Sequence, residues 1–193
     1  MWKQTISAVR LLIVLTIVTG VLYPLAMTGV AQAVFPSQAN GSLVYVGNKP
    51  VGSLLLGQNF NDEKYFHGRP SAAGTDGYDA TNSSGSNLGP TSKKLMATVQ
   101  DNLDKVRNEN KLAENTFVSS DLVLSSASGL DPDISPEGAY LQVPRVARER
   151  HLSELTVREL IASQVQTRTV GLLGAPRVNV LSLNMALDQL ARK

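Results

Sequence analysis

"LLIVLTIVTGVLYPLAMTGVAQAVF", residues 11–35, holds no charged residue, and its reading decides the architecture of the chain. As an α-helix it reaches roughly 37 Å at 1.5 Å per residue, against about 30 Å of bilayer hydrocarbon. It is long enough to cross a membrane with some tilt. The competing reading is a cleaved signal peptide. Lys3 and Arg10 make a basic leader, and Ala31-Gln32-Ala33 fits the small-residue cleavage pattern. Signal h-regions are shorter, about 7–15 residues, so a retained single-pass helix is the expectation. Under either reading the basic flank keeps the amino end inside and sends everything after it outside. The expected order is a cytoplasmic N-terminus (1–10), a transmembrane helix (11–35) and a soluble extracytoplasmic domain (36–193).

The helix carries two further signals. Pro24 removes one backbone donor and should kink it, and Trp2 suits an interfacial anchor. Thr16, Gly20, Pro24 and Thr28 recur every four residues. Small residues at that spacing let a second helix approach closely in lipid, so this face is expected to be a helix–helix interface. The plainer alternative is that Gly and Thr are simply common in membrane helices.

The outer part is expected to be one mixed α+β domain. The chain has 193 residues and no cysteine, which excludes disulfides, thiolate metal sites and a cysteine nucleophile. Its two histidines, His67 and His151, are far apart, so no His-rich zinc site is expected. Lys3 and Arg10 account for two of 18 basic residues, which leaves 16 to balance 16 acids. Nothing here points to nucleic acid. Leu43–Val46 and Ser53–Gly57 read as buried strands, and Asp121–Ser128 as another. A helix fits residues 91–110, with Leu95, Val99, Leu103 and Val106 inward and an outer Asp101–Lys105 pair. Ser135-Pro136-Glu137 starts a helix that Pro144 should bend or divide. Thr156-Val157-Arg158-Glu159 reads as a capping box before the face Val157, Leu160, Ile161, Val165. Residues 177–183, "RVNVLSL", begin as a strand, and a terminal helix carries Leu187 and Leu190.

Chemistry is sparse. No Walker loop, nucleophile elbow, zinc helix or calcium loop occurs. The Gly/Ser-rich run from Asn82 to Gly89, opening onto a helix, is a physical recipe for an anion cradle. Its plainer reading is a structural loop, in which Gly85 and Gly89 supply backbone freedom, side chains satisfy local backbone groups, and Thr91 or Ser92 caps the helix. Asp131 and Asp133 read as an Asx turn rather than a cation site. Arg145, Arg148, Arg150 and His151 read as the solvated face of a helix. Arg69, held between Gly68 and Pro70, is a candidate partner contact that either bridges loops or grips a carboxylate on another subunit.

Four segments carry a resemblance: "YFHGRPSAAG", "YDATNSSGSNLGPTS", "SGLDPDISPEGAYLQVPRVA" and "GLLGAPRVNVLSLNMAL". Together with the single N-terminal membrane segment, they resemble the C subunit of the bacterial potassium-transporting ATPase, the Kdp complex. The similarity runs from the membrane helix to the C-terminus. It implies a non-catalytic accessory subunit of an ATP-driven potassium uptake pump in the inner membrane. The implied partners are a potassium-translocating subunit, a P-type ATPase subunit and a small membrane subunit. The resemblance also implies a subunit that raises the ATP affinity of the ATPase, through a candidate nucleotide loop at Ser83, Ser84, Gly85, Ser86 and Asn87. No cofactor is expected to bind tightly, and ATP is expected only together with the ATPase subunit. This chain has Ser84-Gly85 where the family shows adjacent glycines. A loop outside the membrane also sees no ATP, so a role in holding the complex together or capping the ion entrance is the expectation there. The alternative function class is a stand-alone membrane-anchored extracytoplasmic binding module or hydrolase.

Overall fold

The computed structural model describes residues 1–190, and they form two compact units that divide between Val51 and Gly52. The first is dominated by one helical run, Trp2–Val34, apolar and long enough to cross a bilayer. It consists of α1 (Trp2–Ile17), a π-helical turn (Val18–Leu22) and α2 (Tyr23–Val34). The wide turn has a cause in the sequence. Pro24 has no N–H for the carbonyl of Gly20, and the Tyr23 amide bonds Val18 five residues back. The Thr28 hydroxyl donates to the Pro24 carbonyl at 2.8 Å. After a short helix, α3 (Pro36–Ala39), comes the hairpin of β1 (Leu43–Val46) and β2 (Lys49–Ser53).

That hairpin corrects two expectations. The strand β1 lies where the sequence placed it, but it is exposed, with Tyr45 at 55%. The second strand ends at Ser53 instead of starting there. Gly47, at φ 61°, makes a two-residue turn, so pairing must resume at Lys49. Leu54–Leu56 form a turn beyond it.

The second unit is built from α4 (Lys93–Asn110), β3 (Asp133–Ile134), α5 (Pro136–Leu141), α6 (Val143–Arg150), α7 (Glu154–Gln164), β4 (Val178–Asn179) and α8 (Val180–Leu190). The helix α7 packs against both α6 and α8, and Val146, Val157, Ile161, Leu183 and Leu187 are fully buried. Strands β3 and β4 pair antiparallel, Asp133 opposite Asn179 and Ile134 opposite Val178. Caps set the helix starts. Ser92 accepts from the Leu95 amide, Ser135 from Gly138 at 3.0 Å, and Asn179 from Ser182 at 3.0 Å. Pro144 does divide the helix it follows: α5 ends at Leu141 and α6 begins at Val143. The capping box at Thr156 is displaced by a better start one turn earlier. Ser153 accepts from the Thr156 amide at 3.1 Å, which leaves Thr156 inside α7. Lys105 lies 3.9 Å from Glu109 rather than pairing with Asp101. The expected strand at Asp121–Ser128 is a 3₁₀ turn (Ser120–Leu122) followed by irregular chain. Its serines bond locally, Ser126 to Ser128 and Ser128 to the Leu130 amide, which competes with ladder formation.

The centre of the unit is polar in an unexpected way. Residues 63–67, "EKYFH", run past α6 and α8 without a strand partner. Gln142 accepts from the His67 amide at 2.8 Å and donates to its carbonyl at 3.1 Å. Asn184 does the same for Phe66, at 2.8 and 2.9 Å. Arg145 donates to the carbonyls of Glu63 and Tyr65, to Gln142 at 2.8 Å and to Asn110 at 3.0 Å. It is 0% exposed, which overturns its assignment to a solvated helix face. Arg150 is also largely covered: it stacks over the Tyr65 ring and pairs with Asp188 at 2.7 Å. Only Arg148 and His151 of that group fit the solvated reading.

Arg145→Met should therefore leave the Glu63 and Tyr65 carbonyls and the Asn110 side-chain oxygen without the donor they share, and lower unfolding free energy by roughly 3 kcal/mol. Arg148→Met should change it by less than about 0.5 kcal/mol. Denaturant unfolding of the two variants side by side checks the difference.

Candidate functional site

The irregular chain between residues 57 and 90 is the part where a site was expected. Two of its loops, 71–74 and 83–87, lie backbone to backbone with the loop 126–130. Ser83 donates to the Ser128 carbonyl and Ser84 to the Ala72 carbonyl, both at 2.9 Å. Ser71 donates to the Gly129 carbonyl at 2.6 Å and accepts from the Tyr78 amide at 2.7 Å. Two glycines permit the stacking. A Cβ on Gly85 would lie 2.8 Å from the Ala127 carbonyl oxygen, and one on Gly129 2.5 Å from that of Ser84. Gly85 is thus required for close approach, not for a positive φ. The left-handed residue of the loop is Asn87, at φ 52°, a residue type that tolerates it. Around Gly89 the space is open.

Two cavities flank the edge formed by Pro70 and Ser71. One, of about 260 Å³, is lined by His67, Arg69, Tyr78, Lys105 and Glu109. The other, of about 310 Å³, is lined by Ser86, Leu88, Lys94, Leu95, Val99 and Val123. Ser86 is the member of the expected loop that reaches a cavity wall, with Lys94 on the same wall.

Several polar groups of the first cavity are held within the chain. His67 Nδ1 lies 3.2 Å from a Glu109 oxygen, and its Nε2 lies 3.2 Å from the Asp62 carbonyl. The hydrogen bond from His67 holds the Glu109 carboxyl below its usual range, against the opposing effect of burial. Arg69 pairs with Asp131 at 2.8 Å and reaches the Leu124 carbonyl, so it bridges loops of its own chain. Asp131 also accepts from the Asp133 amide at 3.0 Å, which is the Asx turn read from the sequence. Burial raises the Asp133 carboxyl, whose partners are Asn179 and Arg177. The Tyr78 hydroxyl donates to the Arg69 carbonyl, and burial pushes it up to about 12. It stays protonated near neutrality and offers no base. No serine hydroxyl pairs with either histidine among the described residues.

In the first unit, Thr16, Gly20, Pro24 and Thr28 are all exposed, and a Cβ on Gly20 would meet open space. A spacing of four drifts around a 3.6-residue helix by about 40° per step. The π turn at Val18–Leu22 holds more residues per turn, which reduces that drift where the stripe crosses it.

Sequence reasoning missed the residues that fix the whole region: Asn110, Gln142, Arg145, Asn179 and Asn184. The available signal was an amide inside an apolar stripe. Asn184 sits between Leu183 and Leu187, both 0% exposed.

Residues 5–189 match a family model described as KdpC, K+-transporting ATPase, c chain. Among similar proteins is the potassium-transporting ATPase KdpC subunit of Bradyrhizobium diazoefficiens, 53% identical with 100% of both chains covered. The protein of that name in Rhodopseudomonas palustris strain BisB5 is likewise 53% identical over 100% of both chains. That of Methylobacterium nodulans is 54% identical over 94% of each.

Gly85→Ala should push apart two backbones and destabilise the chain by roughly 1–3 kcal/mol, whereas Gly89→Ala should be nearly neutral. Thermal unfolding compares them. Glu109 gives a pH signature. Because its folded pKa is lowered, its stabilisation is present above the ordinary value of 4.5 and is lost as pH falls through the folded value. Wild type should exceed Glu109→Gln by roughly 0.5–1 kcal/mol near pH 6, and the gap should narrow progressively as pH falls below 4.5. Unfolding midpoints across pH 3–7 test this.

Proposed function

This chain belongs to the KdpC family, the c chain of the K+-transporting ATPase, and from that premise we propose how it serves the complex. It is a non-catalytic subunit of the Kdp potassium uptake ATPase, anchored in the membrane by one N-terminal apolar helix. Its work is assembly. The domain that follows the anchor lies outside the cytoplasm, with Lys3 and Arg10 keeping the amino end inside. The partners are the potassium-translocating subunit, the P-type ATPase subunit and the small membrane subunit. The observation that carries this reading is the face Thr16, Gly20, Pro24, Thr28. It is kept narrow by a π turn and left without a packed neighbour in its own unit. A lone anchor has no use for such a face, whereas a helix seated between others does.

The extracytoplasmic loops act as a rigid docking body and not as a nucleotide site. Ser83 and Ser84 commit their hydroxyl donors to neighbouring carbonyls, and Gly85 is sealed by Ala127, which supports that view. A polyphosphate would need a cluster of cations or a magnesium carboxylate beside free backbone donors. Any gain in ATP affinity of the ATPase subunit is then transmitted through the packed helices, with ATP bound on the other subunit.

The test is retention in the complex after mild detergent extraction. Gly20→Leu should lose at least half of the co-purifying membrane subunits, because the branched side chain blocks close approach. Leu12→Ile should keep them all. Equal retention of both variants would show that this face seats no partner helix. Protease applied outside intact spheroplasts should digest the domain while leaving the anchor.

A further inference from the structure

We propose that the hairpin tip Arg168–Gly174 is a membrane-contacting finger, which seats Val170, Leu172 and Leu173 in the headgroup region of an anionic bilayer. The tip is well built. Thr169 and Leu173 are joined by backbone hydrogen bonds at 2.9 and 3.0 Å, and Gln166 and Arg177 at 2.8 and 3.0 Å. Apart from Phe117 at 83%, its three apolar side chains are the most exposed large hydrophobics of the second unit: Val170 at 87%, Leu172 at 79% and Leu173 at 67%. They stand on a narrow turn, not on a surface that could fold them in.

The backbone adds an independent observation. Val170 has φ 55° and Gly171 φ 75°, so two consecutive residues are left-handed. Asn-Gly or Asp-Gly is the favoured pair for such a turn, and a β-branched residue there is a genuine outlier. Valine at this position costs both conformational strain and exposed apolar area, and nothing inside the unit offsets either. An apolar side chain held in a strained pose at a tip is what a contact outside the chain would select.

Charge identifies the occupant as lipid. From Leu160 to Leu187 there is no acidic residue, while Arg168 is exposed at the base of the finger. An apolar tip with one exposed arginine at its base, Arg177 being paired with Asp133, complements an anionic headgroup layer over an apolar interior. The same chain carries a bilayer-spanning helix, so the tip meets a membrane surface at the high effective concentration of a tether. Three side chains would bind a bilayer weakly by themselves, and the tether removes that limitation. The proposal rests on the anchor and not on which side of the membrane the domain lies.

The chain has no cysteine, so Leu172→Cys and, as a control on the outer face of α4, Gln100→Cys each carry one environment-sensitive fluorophore. Full-length protein is reconstituted without other subunits into vesicles of phosphatidylglycerol and phosphatidylcholine, with spin-labelled lipids as quenchers. The label at 172 should be quenched at least twofold more than that at 100. The excess should shrink in Arg168→Gln or when phosphatidylglycerol is omitted. Val170→Asn relieves the strain, so it should halve the excess while keeping or raising the thermal midpoint. Equal quenching at both sites would overturn the proposal. So would protection of the 172 label only when other Kdp subunits are present, which makes a protein the occupant, or protection that rises with protein density, which makes it a second copy. A lowered midpoint in Val170→Asn with undiminished quenching would also overturn it, by showing that Val170 serves the fold instead.

Discussion

Residues 63–67 cross the middle of the second unit with no strand beside them, and buried peptide groups must find partners somewhere. Two amides and one guanidinium supply them. Gln142 and Asn184 each bind both the N–H and the carbonyl of a single residue, as a neighbouring strand would. Arg145 extends the clasp to Glu63 and Tyr65 and ties in α4 through Asn110. The three side chains come from α6, its N-terminal flank and α8, so the clasp fixes those helices against each other through the segment they hold. Among the described residues, no carboxylate accepts from Arg145. Desolvation lowers its pKa, yet arginine keeps its proton, and neutral oxygens must carry the charge. Removing a member leaves the buried groups that it alone served without partners, which makes a partly satisfied network costly.

The segment after the clasp inherits its rigidity. His67 is held by its backbone, and its ring reaches Glu109 on α4. Two residues on, Arg69 locks onto Asp131, and Ser71 joins the stacked loops. Small residues and hydroxyls then do what strands do elsewhere: they bring backbones within a few ångströms and satisfy the groups left over. The outcome is a domain with little regular sheet and with polar groups committed to holding it in shape.

Legibility in the sequence tracked the range of the interactions. Local signals were readable. Ser135-Pro136 started a helix, Pro144 divided it, Ser92 capped α4, and residues 177–183 passed from strand to helix, because each depends on a few adjacent residues. The membrane helix was readable from its uncharged length. Strands were misread because short apolar runs do not say whether a partner exists. Gly47 fixed the hairpin register earlier than the apolar run of Leu54–Leu56 suggested, and Asp121–Ser128 bonds to itself. Arg145 was misread because its environment comes from residues 63 and 65, far away in the chain. Within the candidate loop, the serines and Gly85 were legible as unusual. Their carbonyl partners at residues 72, 127 and 128 were not, since no local pattern predicts a contact between loops.

Amide hydrogen exchange at Phe66 and His67 tests the clasp itself. If side chains replace a strand there, these two amides should exchange as slowly as those in the middle of α8, through opening of the whole unit. Their protection should fall together in Gln142→Ala and in Asn184→Ala. Exchange at Phe66 and His67 as fast as at Asn59 and Asn61 in the loop just before them would contradict the claim that this clasp holds the domain together.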